Sequence, residues 1–317
     1  MSHPTIVYGA ASFWNPSDIE YAKVVLPALE RLGIKHIDTA RGYGESEAIL
    51  GQLGAPEKFI IDTKVPGFAP KTQTKEKVFA AEKASFGALK TNQIDVYYLH
   101  SPDTETPISE TLAAINEIYK SGKFKRFGLS NFSPEQVQAV YDHAKQNNYV
   151  LPTVYQGNYN PVSRHIEEDL FPLLRKLNIA FYVYSPIAGG FLSKSVDEIK
   201  AGGSGRWDPN SNLGKMYHAL YNRPKVLEGL QEWSAIAEAA GIPRAELAYR
   251  FVAYHSAVRA ELGDAVIIGA SKIEQLEQTV KGFKNGPLPK EVVERVDSIW
   301  EKVKGDAPRD NYELVKP

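Results

Sequence analysis

The chain contains no cysteine. Disulfide scaffolds, thiolate metal sites, iron–sulfur clusters and cysteine nucleophiles are excluded with it. Net charge is nearly absent as well: 37 Lys+Arg against 38 Asp+Glu leave −1 over 317 residues. Nothing electrostatic therefore points to nucleic acid or an anionic membrane as a partner. No apolar run approaches the ~20 residues that cross a bilayer. The opening Met1-Ser2-His3-Pro4-Thr5-Ile6-Val7-Tyr8 lacks the basic start and apolar stretch of a secretory leader. Internal repeats and low-complexity tracts are also missing. The expectation is a cytoplasmic protein. With 43% hydrophobic and 24% charged residues, the composition is that of a globular chain able to build a large core.

What is present is alternation. Short runs rich in apolar and β-branched residues recur at 5–8, 36–38, 59–64, 96–99, 127–129, 153–156, 180–184 and 265–268, and they read as eight strands. Between them, apolar residues fall at three- and four-residue steps over 19–32, 75–89, 109–121, 134–147, 167–177, 226–240 and 273–283, the spacing of helices. Strands alternating with helices imply right-handed βαβ units and a parallel sheet. An open doubly wound sheet that binds a dinucleotide would carry Gly-x-Gly-x-x-Gly after its first strand. Here that turn reads Gly9-Ala10-Ala11-Ser12-Phe13-Trp14. Eight repeats instead favour one (β/α)8 barrel domain over residues 1–317.

Two regions break the beat. Residues 193–223 form a long, polar, turn-rich loop after strand 7, expected to overhang the C-terminal face. A helical pair at 226–240 and 243–255 is inserted before strand 8. The polar tail 305–317 is expected to be either frayed or laid across the active face.

In a barrel the C-terminal strand ends carry the reactive groups, because the βα loops converge there. Strand 2 ends in Asp38, with Tyr43 five residues on; strand 3 ends in Lys64; His100 follows strand 4. Taken singly these are a turn cap, a rim aromatic, a snorkelling lysine and a structural histidine. Their shared address gives them a chemistry. A tyrosine, with pKa near 10, holds its proton at neutral pH and can act as a general acid. A neighbouring ammonium, anchored by Asp38, stabilises the phenolate left behind. A neutral His100 can orient a carbonyl oxygen. The set protonates a carbonyl while something else delivers a hydride. It includes no carboxylate cluster suited to a metal.

Barrels often bind phosphate with the loops after strands 7 and 8. After strand 7 the chain reads Tyr184-Ser185-Pro186-Ile187-Ala188-Gly189-Gly190-Phe191-Leu192, and its glycine pair would let backbone approach a pyrophosphate. After strand 8 comes Gly269-Ala270-Ser271-Lys272-Ile273-Glu274-Gln275-Leu276, a small, lysine-bearing helix start. Ser130, Asn131 and Gln156 end strands 5 and 6, where they can hold a nicotinamide carboxamide. Phe13, Trp14 and Tyr217 are candidate walls of the substrate pocket, with Trp207 equally suited to packing against protein.

At this point the chain resembles the aldo-keto reductase superfamily over nearly its whole length. The motifs are Asp38-Thr39-Ala40-Arg41-Gly42-Tyr43-Gly44-Glu45-Ser46-Glu47, Thr63-Lys64-Val65, Leu99-His100-Ser101-Pro102 and Gly128-Leu129-Ser130-Asn131-Phe132. It is most similar to the aflatoxin-aldehyde reductase branch, through 184–192, Gly205-Arg206-Trp207, Met216-Tyr217 and 269–279. That resemblance implies NADPH as cofactor. It places Ser271, Lys272 and Gln275 at the adenosine phosphate and folds Lys194 and Arg206 over the pyrophosphate. Two positions depart from the branch. His218 stands where an arginine usually holds a substrate carboxylate, leaving Arg223 or Arg309 as substitutes, and Thr279 replaces an asparagine of the cofactor helix.

The reading is therefore an NADPH-dependent reductase of small-molecule aldehydes or ketones, monomeric or homo-oligomeric. Two rivals come from other classes: a Schiff-base lyase using Lys64 as nucleophile, and a redox-sensing binding protein on a reductase fold.

Overall fold

Eight strands close in chain order into a parallel barrel. They are β1 (Thr5–Gly9), β2 (His36–Asp38), β3 (Ile60–Val65), β4 (Ile94–Leu99), β5 (Phe124–Ser130), β6 (Pro152–Asn158), β7 (Ala180–Tyr184) and β8 (Ala265–Ile268). The ring closes where Thr5 to Tyr8 of β1 pair with Ala265 to Ile268 of β8. The computed structural model describes residues 3–203 and 205–310. Ser204 and the tail 311–317 lie outside the described residues, and so does the expectation for most of that tail. Among the described residues, no helix is long and apolar enough to cross a membrane.

The expected barrel is the observed one. Side chains alternate between its two faces. Val7, Val96, Tyr98, Val154, Ala180, Tyr182, Ala265 and Ile267 fill the interior as one cluster. The other face of each strand packs under helices α1 (Ile19–Leu32), α2 (Ser46–Gln52), α3 (Lys75–Leu89), α4 (Ile108–Lys120), α5 (Pro134–Gln146) and α6 (Leu170–Lys176). Gly128 of β5 makes the interior packing possible, since a Cβ there would overlap the Tyr98 ring.

Four differences from the sequence reading have physical causes. Residues 193–223 are not a structureless loop: they hold α7 (Val196–Ala201) and α8 (Asn212–Tyr221). Ser195 and Ser211 start these helices by accepting hydrogen bonds from the backbone N–H groups of Glu198 and Gly214. The short α2 went unread because it spans two turns. The segment read as 167–177 begins its α-helix only at Leu170, which puts Pro172 in the first turn, where a missing N–H costs nothing. The inserted pair is α9 (Pro224–Ala240) and α10 (Arg244–Tyr254), followed after β8 by α11 (Ile273–Lys284). A final helix, α12 (Lys290–Val303), was not expected. It buries Val292, Val296, Ile299, Trp300 and Val303 in a second hydrophobic cluster with α8 and α9. That cluster sits outside the barrel and supports the chain between β7 and β8.

Candidate active site

The inward positions at the ends of the strands converge on one buried ion pair. Lys64 ends the inward face of β3 and Asp38 that of β2. Lys64 Nζ donates to Asp38 Oδ1 and Oδ2, both at 2.7 Å, and to the carbonyl oxygen of Thr39, also at 2.7 Å. Both side chains are buried. Burial works against the ammonium, but Asp38 foremost, together with Tyr43 and Asp62, outweighs it and raises the Lys64 pKa above the usual lysine value. All three protons of the ammonium are committed, so Lys64 is a fixed positive charge.

Tyr43 stands beside that charge. Lys64 Nζ lies 5.1 Å from the centre of its ring. The loop that carries Tyr43 is tightly built. Gly44 adopts φ 55°, a Cβ at this position would overlap the Trp14 carbonyl, and the Glu45 N–H donates to that carbonyl at 3.1 Å. Buried Glu47 accepts from Thr63 Oγ1 at 2.6 Å and pairs with Arg41. Burial raises the Tyr43 pKa above the ordinary phenol value, opposed by Lys64. The phenol therefore keeps its proton at neutral pH. His100 Nε2 is 3.5 Å from Tyr43 Oη. Burial, and then the charge of Lys64, hold the imidazole well below the usual histidine range, so it is neutral. A protonated phenol, a fixed cation and a neutral imidazole at one mouth suit acid–base chemistry on a polar double bond.

The amide side chains expected to hold a carboxamide are tied into this set. Tyr184 Oη donates to Asn131 Oδ1 at 2.7 Å, while Asn131 Nδ2 donates to the His100 carbonyl at 2.9 Å and to Ser130 Oγ at 3.1 Å. Gln156 Nε2 donates to Asp38 Oδ1 at 2.8 Å.

The loop after β7 turns through a run of positive φ angles at Ser185, Ala188, Gly189 and Gly190. At Gly190 a Cβ would meet Trp207 Nε1 at 3.7 Å and Ser193 Oγ at 3.9 Å, ordinary contacts, and at Gly269 nothing lies within 4 Å. The backbone after β8 thus leaves room for a ligand, and that after β7 is only loosely covered. Pro186 and Leu192 are buried behind this loop, and the Leu192 carbonyl accepts from Trp233 Nε1 at 2.9 Å. Lys194 is half-buried, whereas Arg206, Ser271, Lys272 and Gln275 are exposed. Gln275 Oε1 accepts from the N–H and hydroxyl of Ser271 at 3.2 and 3.1 Å, and Lys272 is the N-cap residue of α11. Exposed cations, a helix N-terminus and uncovered glycine backbone fit a phosphorylated dinucleotide. Thr279 is half-buried in α11, facing Tyr249.

The expected substrate residues divide. Trp14 is 54% exposed beside the Tyr43 loop and can wall a pocket. Phe13 cannot, because it is fully buried between Tyr8 and Tyr21, 5.9 and 6.2 Å away ring to ring. Trp207 is buried too, its Nε1 donating to the Gly189 carbonyl at 3.1 Å. Tyr217 is buried face-on against Gly189, with Arg206 Nη1 3.4 Å from its hydroxyl. His218 does not point a free nitrogen at a substrate: Nε2 lies 3.3 Å from the Trp207 carbonyl and Nδ1 3.2 Å from Asn222 Nδ2. It braces α8 instead. Arg223 donates to the carbonyls of Ala219 and Asp306, and Arg309 pairs with Asp169. Neither replaces a carboxylate-holding arginine next to Tyr43.

One site residue escaped the sequence. Phe68 packs edge-on against His100 with ring centres 5.0 Å apart. Its φ is 62°, unusual for a bulky side chain, and its N–H donates to Ser101 Oγ at 2.7 Å. Reading strand ends alone passes over such loop residues; the aromatic four positions after Lys64 was the available signal.

Comparison with known proteins agrees with this geometry. The model of the aldo/keto reductase family matches residues 5–301. The chain is 40% identical over 317 residues to the oxidoreductase sirO of Leptosphaeria maculans, covering 96% of each protein. It is 36% identical to human aldo-keto reductase family 7 member A3, over 98% of this chain and 97% of that protein. To aflatoxin B1 aldehyde reductase member 2 of Rattus norvegicus it is 34% identical, over 98% and 87%. Fold and site define an oxidoreductase of the carbonyl-reducing kind. The chain belongs to the aldo/keto reductase family, and its relatives include the aflatoxin-aldehyde reductase branch.

Proposed function

We propose that the protein reduces aldehydes and ketones to alcohols with NADPH, using Tyr43 as the proton donor. The observation that carries this is the buried Lys64–Asp38 pair 5.1 Å from the Tyr43 ring. When bound, NADPH supplies the hydride that adds to the carbonyl carbon. Tyr43 gives its proton to the carbonyl oxygen, and the two additions make the alcohol. A unit charge about 5 Å from the developing phenolate contributes about 3 kcal/mol at an effective dielectric near 20, or roughly two pKa units. Burial still wins at rest, so the proton leaves only as the substrate takes it. Neutral His100 offers a hydrogen bond to the carbonyl oxygen and fixes its direction.

Ser130, Asn131, Gln156 and Tyr184 surround the nicotinamide end, and the Ser185–Leu192 loop with Lys194 and Arg206 takes the pyrophosphate. Ser271, Lys272 and Gln275 take the adenosine phosphate and favour NADPH over NADH. Trp14 and Phe68 favour flat or bulky apolar carbonyls, and the relatives named as aldehyde reductases favour aldehydes. A lyase using Lys64 is disfavoured, because a nucleophilic amine must be neutral and this one is held charged.

NADPH oxidation against a panel of aldehydes, ketones and diketones tests the reading. Turnover is expected in the wild type and at least about 1,000-fold less in Tyr43→Phe, with NADPH affinity nearly unchanged. Full activity of Tyr43→Phe would refute the acid assignment, and a chain that binds NADPH with no turnover would be the redox-sensing protein instead.

A further inference from the structure

We propose that Gln156 is a positioning residue for carbonyl reduction: it spans the barrel to hold the Asp38 carboxylate, and thereby keeps the Lys64 charge available to Tyr43. This rests on the proposed reductase chemistry and adds a residue whose role lies inside the protein rather than against a ligand.

The geometry comes from topology. β2 and β6 are four strands apart in a closed ring of eight, so Asp38 and Gln156 face one another across the barrel axis. Their side chains meet at 2.8 Å, joining residues 118 positions apart, and both are 2% exposed. The direction of the bond is fixed by chemistry. An ionised carboxylate only accepts, so the amide must turn its NH2 toward Asp38. Only the amide oxygen and one remaining N–H are then left for a nicotinamide, whose contact with Gln156 becomes a contact with the catalytic pair at one remove.

The consequence is electrostatic. Asp38 Oδ1 accepts from both Lys64 and Gln156, while Oδ2 accepts from Lys64. A neutral donor on a carboxylate draws electron density toward itself and weakens the grip on the other partner. Without Gln156, Asp38 would bind the ammonium more closely and leave less of its field at the phenol. The charged and titratable groups near Asp38 are Lys64 and Asp62 of β3; near Tyr43 they are Lys64, Asp38, Arg206, Tyr217 and His100, whose Nε2 is 3.5 Å from the phenol oxygen. None of the others is a neutral donor to Asp38, so the position of Gln156 in this network is its own.

Two variants read this out: Gln156→Leu, which removes the donor, and Gln156→Glu, which keeps the shape. Carbon-13 NMR of labelled tyrosines in the protein without cofactor gives the Tyr43 titration, assigned by its loss in Tyr43→Phe. Gln156→Leu is expected to move that titration upward by about half to one pH unit. Gln156→Glu moves it further once the new carboxyl ionises, and its kcat at saturating NADPH recovers in acid, where the protonated carboxyl again donates to Asp38. A change in NADPH affinity alone, with the Tyr43 titration and the kcat–pH profile superimposable on wild type, would overturn the proposal. Should Gln156→Leu fail to fold, the isosteric Gln156→Glu decides the matter. A wild-type protein inactive on every carbonyl would sink the reductase reading, yet a shifted Tyr43 titration would still establish the strut.

Discussion

His100 shows how one buried site sets its own pH range. Burial and the nearby Lys64 keep its imidazole uncharged far below the usual histidine titration. The kcat/KM profile should therefore be flat across about pH 6 to 8, the interval in which an unperturbed histidine would titrate. A break near neutrality in the pH–rate profile, retained in no variant of His100, would contradict this. The meeting of Asp38, Lys64 and His100 was legible because each is the last inward position of a strand or follows it directly, and Tyr43 because it lies in the short loop after β2. The surroundings of Phe13 and His218 were not legible because their neighbours come from other elements. Nothing local states that Tyr8 and Tyr21 enclose Phe13, or that Trp207 and Asn222 occupy both nitrogens of His218.

The polarity and glycines of the segment 193–223 suggested a loop, yet two serine-capped helices stiffen it, and its Trp207, Tyr217 and Tyr221 rings pack together with that of Phe191. Gly189 is the point where this packing meets the backbone. It has φ 64°, and a Cβ would overlap the Tyr217 ring. Gly189→Ala should therefore cost about 2–3 kcal/mol, from left-handed strain together with displacement of the ring. Urea unfolding measures the loss, and NADPH titration should show weaker binding as the rim shifts. A stable variant with unchanged affinity would mean that Tyr217 swings aside freely. The helices here, like α12, were recoverable in principle from caps and apolar spacing; their docking on α9 was not.

At the scale of the molecule, the two ends of the barrel divide their work. The C-terminal mouth holds the Tyr43 site, and the opposite end is closed by a polar cluster. There His36 Nε2 lies 2.9 Å from Asp62 Oδ2 and 3.9 Å from Asp95 Oδ2, and Arg126 donates to Asp95 and to Tyr182 Oη. Burial lowers the His36 pKa, but Asp62 and Asp95 outweigh it and Arg126, and the net shift is upward. The folded chain thus holds this proton more tightly than the unfolded chain. The resulting stability is complete below the unfolded value of 6.5 and is lost as pH rises through the folded value. Because the depressed His100 contributes with the opposite sign in this range, the effect of His36 is read as a difference: the Tm of the wild type minus that of His36→Gln should fall in calorimetry as pH is raised from about 6 past neutrality. Equal slopes for the two proteins would remove His36 from the account.

The sequence by itself determined the strand–helix beat, the barrel and the addresses of Asp38, Tyr43, Lys64 and His100, because alternation and end-of-strand position are local properties. Tertiary structure alone decided which polar groups meet. The bond from Gln156 to Asp38, the link from Tyr184 through Asn131 to the His100 backbone, and the burial that shifts each proton equilibrium arise only when the ring closes. Distance across a barrel and exclusion of water are properties of the closed ring, and no stretch of chain contains them.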